Sequence, residues 1–145
     1  MSRHVVAAVD EIPQGSRKIV TVRGREIGIF NVADNFYGLI NRCPHQGAPL
    51  CRGEIVSRLV APSPGDYRLT RPGEMLRCPW HCWEFDIRTG QSWCDPVHTR
   101  VKAYHTMVES GAEIEHEKLD DKAKGPYVAE TFAVSVADDY VLVDV

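Results

Sequence analysis

The clearest pattern along this chain is short apolar and β-branched runs separated by turn signals, with no sustained 3.6-residue period. His4–Val9, Lys18–Arg23, Glu26–Val32 and Phe36–Asn41 each read as strands, and Pro13-Gln14-Gly15, Arg23-Gly24-Arg25 and Asp34-Asn35 punctuate them. That spacing predicts meandering antiparallel hairpins. Further along, Arg100–Val108, Val128–Val136 and Tyr140–Val145 look like closing strands that return to the first sheet. The fold class expected is all-β, an antiparallel sandwich or barrel. Two stretches break the pattern. Ala61–Gly73, with three prolines and two glycines, reads as an exposed hairpin or flap, and Glu109–Gly125, ending in alternating charges, reads as a solvated loop.

A length of 145 residues suits one domain able to bury its own core, so residues 1–145 are expected to form a single domain. The net charge of −3 offers no basic footprint for nucleic acid. The first fifteen residues hold too short an apolar stretch for a secretion signal, and no segment approaches the length of a membrane span. No membrane association and a cytoplasmic location are therefore expected. Oligomeric state is left open.

Candidate chemistry is concentrated in two motifs, Cys43-Pro44-His45 and, after 32 intervening residues, Cys78-Pro79-Trp80-His81. Each supplies one thiolate and one imidazole. That inventory would serve a structural zinc ion, which accepts two sulfurs and two nitrogens tetrahedrally. It would equally serve a [2Fe–2S] cluster with two cysteines on one iron and two histidines on the other. Zinc modules usually pair like ligands, whereas here each motif carries one of each, which favours iron and sulfur. The prolines Pro44 and Pro79 stiffen both motifs, and Gly47 would allow close backbone approach. His4, His98, His105 and His116 lie outside the motifs and read as surface positions. Glu84 and Asp86 alternate with Trp83 and Phe85 as the solvent-facing side of a half-buried strand.

The flanking residues, CPHQGAPL from Cys43 and CPWHCWEFDIRTG from Cys78, resemble the two cluster-binding runs of the Rieske family, in soluble ferredoxins and in ring-hydroxylating oxygenases. This resemblance implies a Rieske [2Fe–2S] cluster held by Cys43, His45, Cys78 and His81, in a cluster-binding subdomain of about residues 41–96. Two departures stand out: the spacer is roughly twice the family's usual length, and Cys82 occupies a position where the family has glycine. Ala61–Gly73 accounts for the longer spacer. Respiratory members brace their loops with a disulfide, at positions that here hold Ala48 and Trp80. Bridging of Cys51 to Cys82 is conceivable from their places in the chain, although a reducing cytoplasm opposes it. Cys94 reads as a small packed hydrophobe. Respiratory members also carry two hydroxyls near the cluster, where this chain has Trp83 and Phe85.

The function implied is that of a ferredoxin-like carrier, passing one electron from a flavin reductase to an oxygenase or another redox enzyme. An oxygenase of this type would need a second iron site in a further domain. The alternative is an accessory subunit permanently bound in a larger enzyme. No separate catalytic residues are expected.

Overall fold

The computed structural model of the chain describes residues 3–44, 46–80, 82–92, 97, 99–120, 127–128 and 137–145. The described chain is built almost entirely from strands: β1 (Arg3–Ala8), β2 (Arg17–Val22), β3 (Arg25–Val32), β4 (Asn35–Ile40), β5 (Glu54–Ser63), β6 (Asp66–Arg77), β7 (Glu84–Asp86), β8 (Ala103–Tyr104), β9 (Thr106–Ser110), β10 (Tyr127–Val128) and β11 (Asp139–Asp144). They form sheets of order β10-β1-β11-β9, β2-β3-β4-β8 and β5-β6-β7. Pairing is antiparallel in β1–β11, β11–β9, β2–β3, β5–β6 and β6–β7, whereas β1 and β10 run parallel. The all-β expectation holds. Two compact units emerge, one of residues 1–38 with 104–145, the other of residues 39–103.

In the first unit the strands begin close to where alternation places them, and the turns explain why. Val22 pairs with Arg25, leaving Arg23 and Gly24 as a two-residue connection at φ 52° and 76°. Two consecutive left-handed residues match the twist of the flanking strands. The next connection uses Ala33 and Asp34, at φ 52° and 64°, one residue earlier than Asp34-Asn35. Ile27 and Ile29 on one face of β3 and Phe30 on the other are fully buried, so the middle of this strand is covered on both sides. Buried Asn31 donates its side-chain amide to the Ile12 carbonyl at 2.8 Å, which fixes the chain entering β2.

The stretch from Glu109 departs from expectation. Gly111–Asp120 is a helix, α1, where a solvated loop was expected. Its start is a reciprocal cap: the Glu113 amide donates to Ser110 Oγ, and the Ser110 amide donates to the Glu113 carboxylate. Ile114 then turns inward to pack with Val5, Tyr140 and Leu142. The Ser110–Glu113 cap and the Ile114 anchor support a short helix whose charges mask its period. Of the strand expected over Val128–Val136, only Val128 lies in the described residues, within β10. The strand expected over Arg100–Val108 is interrupted at His105, whose carbonyl accepts from Asp144 N at 2.9 Å.

In the second unit the long spacer is one hairpin, β5–β6, turned by Pro64-Gly65. Its root pairs Glu54–Val56 with Met75–Arg77, and pairing resumes only at Arg58 with Thr70. Ser57 therefore faces four residues, Arg71 to Glu74. Pro72 can donate no ladder hydrogen bond and Gly73 sits at φ 71°, so the bulge is written into the sequence. Residues 61–65, at the far end, are exposed as expected.

His4 on β1 generates a prediction. Burial foremost, and then the neighbouring Arg23 charge, hold its imidazole below its ordinary value near 6.5, with Asp144 pulling the other way. The unfolded chain thus takes up a proton near pH 6.5 that the folded chain binds only at lower pH. Stability is full above that pH and falls as the pH drops through it. Thermal melts at pH 7.5 and 5.5 should show a smaller acid-induced loss for His4→Gln than for the wild type.

Candidate metal centre

Strand alternation delivers Cys78, the first residue of the second motif, to the protein interior. Leu76 and Phe85 pair across β6 and β7 and are fully buried, so Arg77 and Glu84 turn to the opposite face and Cys78 returns to the inner one. The Cys78 residue is 1% exposed. Cys43, reached from the end of β4, is likewise 1% exposed. His45 and His81 lie outside the described residues, as do Cys94 and His98.

The two motifs close in the same way. Cys43 N donates to Ala48 O, five residues on, at 2.8 Å, and Gly47 N donates back to Cys43 O at 2.8 Å. In the second loop Cys78 N donates to Trp83 O, also five residues on, at 2.7 Å, and Cys82 N donates back to Cys78 O at 3.0 Å. The residue four places after each cysteine is left-handed, Gly47 at φ 79° and Cys82 at φ 58°. Cys82 is therefore the counterpart of Gly47. Glycine adopts this conformation freely, whereas a residue with a Cβ gives up about 1–2 kcal/mol. The requirement at Gly47 is this handedness, since an added Cβ would meet nothing closer than the Arg42 side chain at 3.7 Å.

Around each buried cysteine most of the described loop residues are open to water, with Ala48 buried and Trp83 half-buried where the loops close. Pro44, Gln46 and Gly47 are exposed in the first loop, and Pro79, Trp80 and Cys82 in the second. Each loop thus turns its sulfur inward and its middle outward. A group that needs two thiolates on a protein-facing side and reaches towards solvent on the other fits this arrangement.

The loops are joined at their bases. The first runs on through a short 3-10 turn, Leu50–Arg52, to Gly53, where a Cβ would lie 1.9 Å from the carbonyl oxygen of Arg77. Only glycine lets the end of the first loop touch the strand that enters the second. Cys51 is buried, donates its backbone N–H to the Asn41 side-chain oxygen at 2.8 Å, and aims its thiol at Leu39 O at 3.5 Å. No disulfide joins it to exposed Cys82. On the outer face, Arg77 donates to Glu84 at 3.1 Å and to Glu54 at 3.5 Å, and the Glu84 hydrogen bond foremost holds the guanidinium above its ordinary pKa.

Asp86 corrects the expectation of a solvent-facing carboxylate. It is 5% exposed and accepts the Arg88 amide at 2.9 Å, while its backbone carbonyl takes Gly90 N at 2.7 Å. Its carboxylate caps a turn. Simple alternation missed this because β7 ends at Asp86 and the chain reverses there.

A family model, Rieske [2Fe-2S] domain, matches residues 2–105. The chain belongs to the Rieske family. A [2Fe–2S] cluster of Rieske type is accordingly its cofactor. The ferredoxin component of a naphthalene 1,2-dioxygenase system from Pseudomonas aeruginosa is 30% identical over 102 residues, spanning 70% of this chain and 83% of that protein. A 3-phenylpropionate/cinnamic acid dioxygenase ferredoxin subunit from Photorhabdus laumondii is 26% identical over 111 residues, 77% of this chain and 90% of the relative. Among solved structures, the ferredoxin of carbazole 1,9a-dioxygenase from Nocardioides aromaticivorans superposes with a TM-score of 0.58 at 28% identity, covering 75% of this Rieske chain and 91% of the other.

The Gly53 contact yields a prediction. Gly53→Ala forces two backbone segments apart at the base of both cysteine loops, at a cost of about 1–3 kcal/mol, the usual range for overpacking. A lowered melting temperature together with faster loss of visible absorbance on heating is the expected result.

Proposed function

We propose that this protein is a one-electron carrier of the soluble Rieske ferredoxin type, with Cys43, His45, Cys78 and His81 as the cluster ligands. The observation that carries the reading is the pair of buried thiols on two identically closed loops, in a chain whose relatives are ferredoxin components of dioxygenase systems. Cys43, His45, Cys78 and His81 would hold the cluster, which would supply one-electron chemistry at a potential that imidazole ligation raises above that of all-cysteine ferredoxins. The chain's own contribution is positional. Cys43 and Cys78 present sulfur from inside, while the two loop turns hold their backbones at fixed length. In this reading His45 and His81 complete the ligand set with their imidazoles. Reorganisation on electron transfer is kept small by Pro44, Pro79 and the paired hydrogen bonds of each loop.

The electron donor in this reading is a flavin reductase and the acceptor a ring-hydroxylating oxygenase, in the cytoplasm. The family match and the names of the relatives support the acceptor. Among the described residues no helix is long and apolar enough to cross a membrane, which accords with that setting. The chain spans 83% and 90% of relatives that are named a ferredoxin component and a ferredoxin subunit of dioxygenase systems, which supports an electron carrier that serves an oxygenase.

Purified protein should be red-brown and, once reduced, give an S = 1/2 signal of low average g. Cys43→Ser and Cys78→Ser should each abolish it, as should replacement of His45 or His81. Zinc as the sole bound metal would overturn the assignment. Full function is checked by reducing the protein through a flavin reductase and following its reoxidation by an oxygenase with substrate present.

The midpoint potential is predicted at the low end of the range of about −150 to +300 mV spanned by Rieske centres. Hydrogen-bond donors near a cluster stabilise its more negative reduced state and raise the potential. Phe85 is buried and has no hydroxyl, and Trp83 is only half-buried. Voltammetry should place the midpoint well below about +100 mV within that range, and Phe85→Tyr should move it upward.

A further inference from the structure

Three residues lie directly opposite one another across the second unit's three-stranded sheet: Glu54 on β5, Arg77 on β6 and Glu84 on β7. Their position in the chain is the informative part. Glu54 follows Gly53, at the exit of the first cysteine loop; Arg77 precedes Cys78, at the entrance of the second; Glu84 follows Trp83, at its exit. One guanidinium reaches both carboxylates, with Nη1 towards Glu54 and Nη2 towards Glu84.

Magnitudes argue that this row is not there for stability. The side chains of Arg77, Glu54 and Glu84 are 36%, 70% and 30% exposed, and pairs so open to water contribute little to folding. The opposite face of the same three strands carries the apolar row Ile55, Leu76 and Phe85, which supplies the packing. The charged row instead places one cation at the residue before Cys78 and two anions opposite it on the neighbouring strands. A planar fork with two separate donors suits the task of bridging two strands, and a single ammonium does not.

We propose that Arg77 is a positioning residue for the redox site, tying together the strands from which both cysteine loops spring and setting, by its charge against Glu54 and Glu84, how readily the cluster is reduced. This rests on Cys78 being a cluster ligand. Reduction adds one negative charge to the site. A nearby cation therefore favours the reduced state and a nearby anion opposes it, by amounts that salt screens.

The test is the midpoint potential of the holoprotein and of three variants, measured by voltammetry at low and high salt, with visible absorbance reporting cluster content. Arg77→Gln should lower the potential and Glu84→Gln should raise it, and both shifts should shrink as salt is added. Arg77→Lys, which keeps the charge and loses the fork, should stay near the wild-type potential but release its cluster faster to a chelator. Should Arg77→Gln lose its cluster outright, Glu84→Gln and Arg77→Lys still decide the matter. A Glu84→Gln potential unchanged or lowered, or an Arg77→Lys protein as resistant to chelator as wild type, would overturn the proposal. Absence of any Rieske signal from the wild-type protein would instead overturn the ligand assignment.

Discussion

Everything in the second unit follows from the need to bury two sulfurs on two short loops without stranding backbone groups. A six-residue loop that turns its first side chain inward draws that residue's N–H and C=O away from water, where each must find a partner within the protein. Both loops meet this demand with the same two hydrogen bonds around the cysteine, and both need a left-handed residue to close. The repetition gives the two loops the same closure despite different sequences, CPHQGA and CPWHCW. It also explains Cys82, which satisfies the local geometry at some conformational cost.

The bases of the loops show how a long insertion can be added without disturbing that arrangement. The root of β5–β6 is tied to β7 by a buried apolar row and to the first loop by the Gly53 contact. Beyond Val56 and Met75 the ladder breaks at Pro72-Gly73 and restarts, so the outer hairpin is decoupled from the root. Spacer length therefore says little about the site. What counts is that three strands are in register where they open into the loops.

The first unit illustrates a similar economy. Its sheet β10-β1-β11-β9 is covered by one short helix whose only buried anchor among the described residues is Ile114. A reciprocal Ser110–Glu113 cap starts it, and it was hidden within a run that reads as solvated charge.

The chemistry of this protein was legible in its sequence because ligand choice is local. One cysteine and one histidine per motif, each motif opened by Cys-Pro, point to a mixed-ligand iron–sulfur site before any fold is known. The strands over β1 to β4 were legible for a comparable reason, since alternation and two-residue turns are short-range properties. Burial of Asp86, the need for glycine at position 53, the equivalence of Cys82 with Gly47 and the row of Glu54, Arg77 and Glu84 were not. The glycine at position 53 and the charged row depend on which residues of separate strands end up opposite one another, a register set by the packing of the whole unit. Asp86 and Cys82 are instead decided by how the chain turns around them, which alternation along a strand does not show.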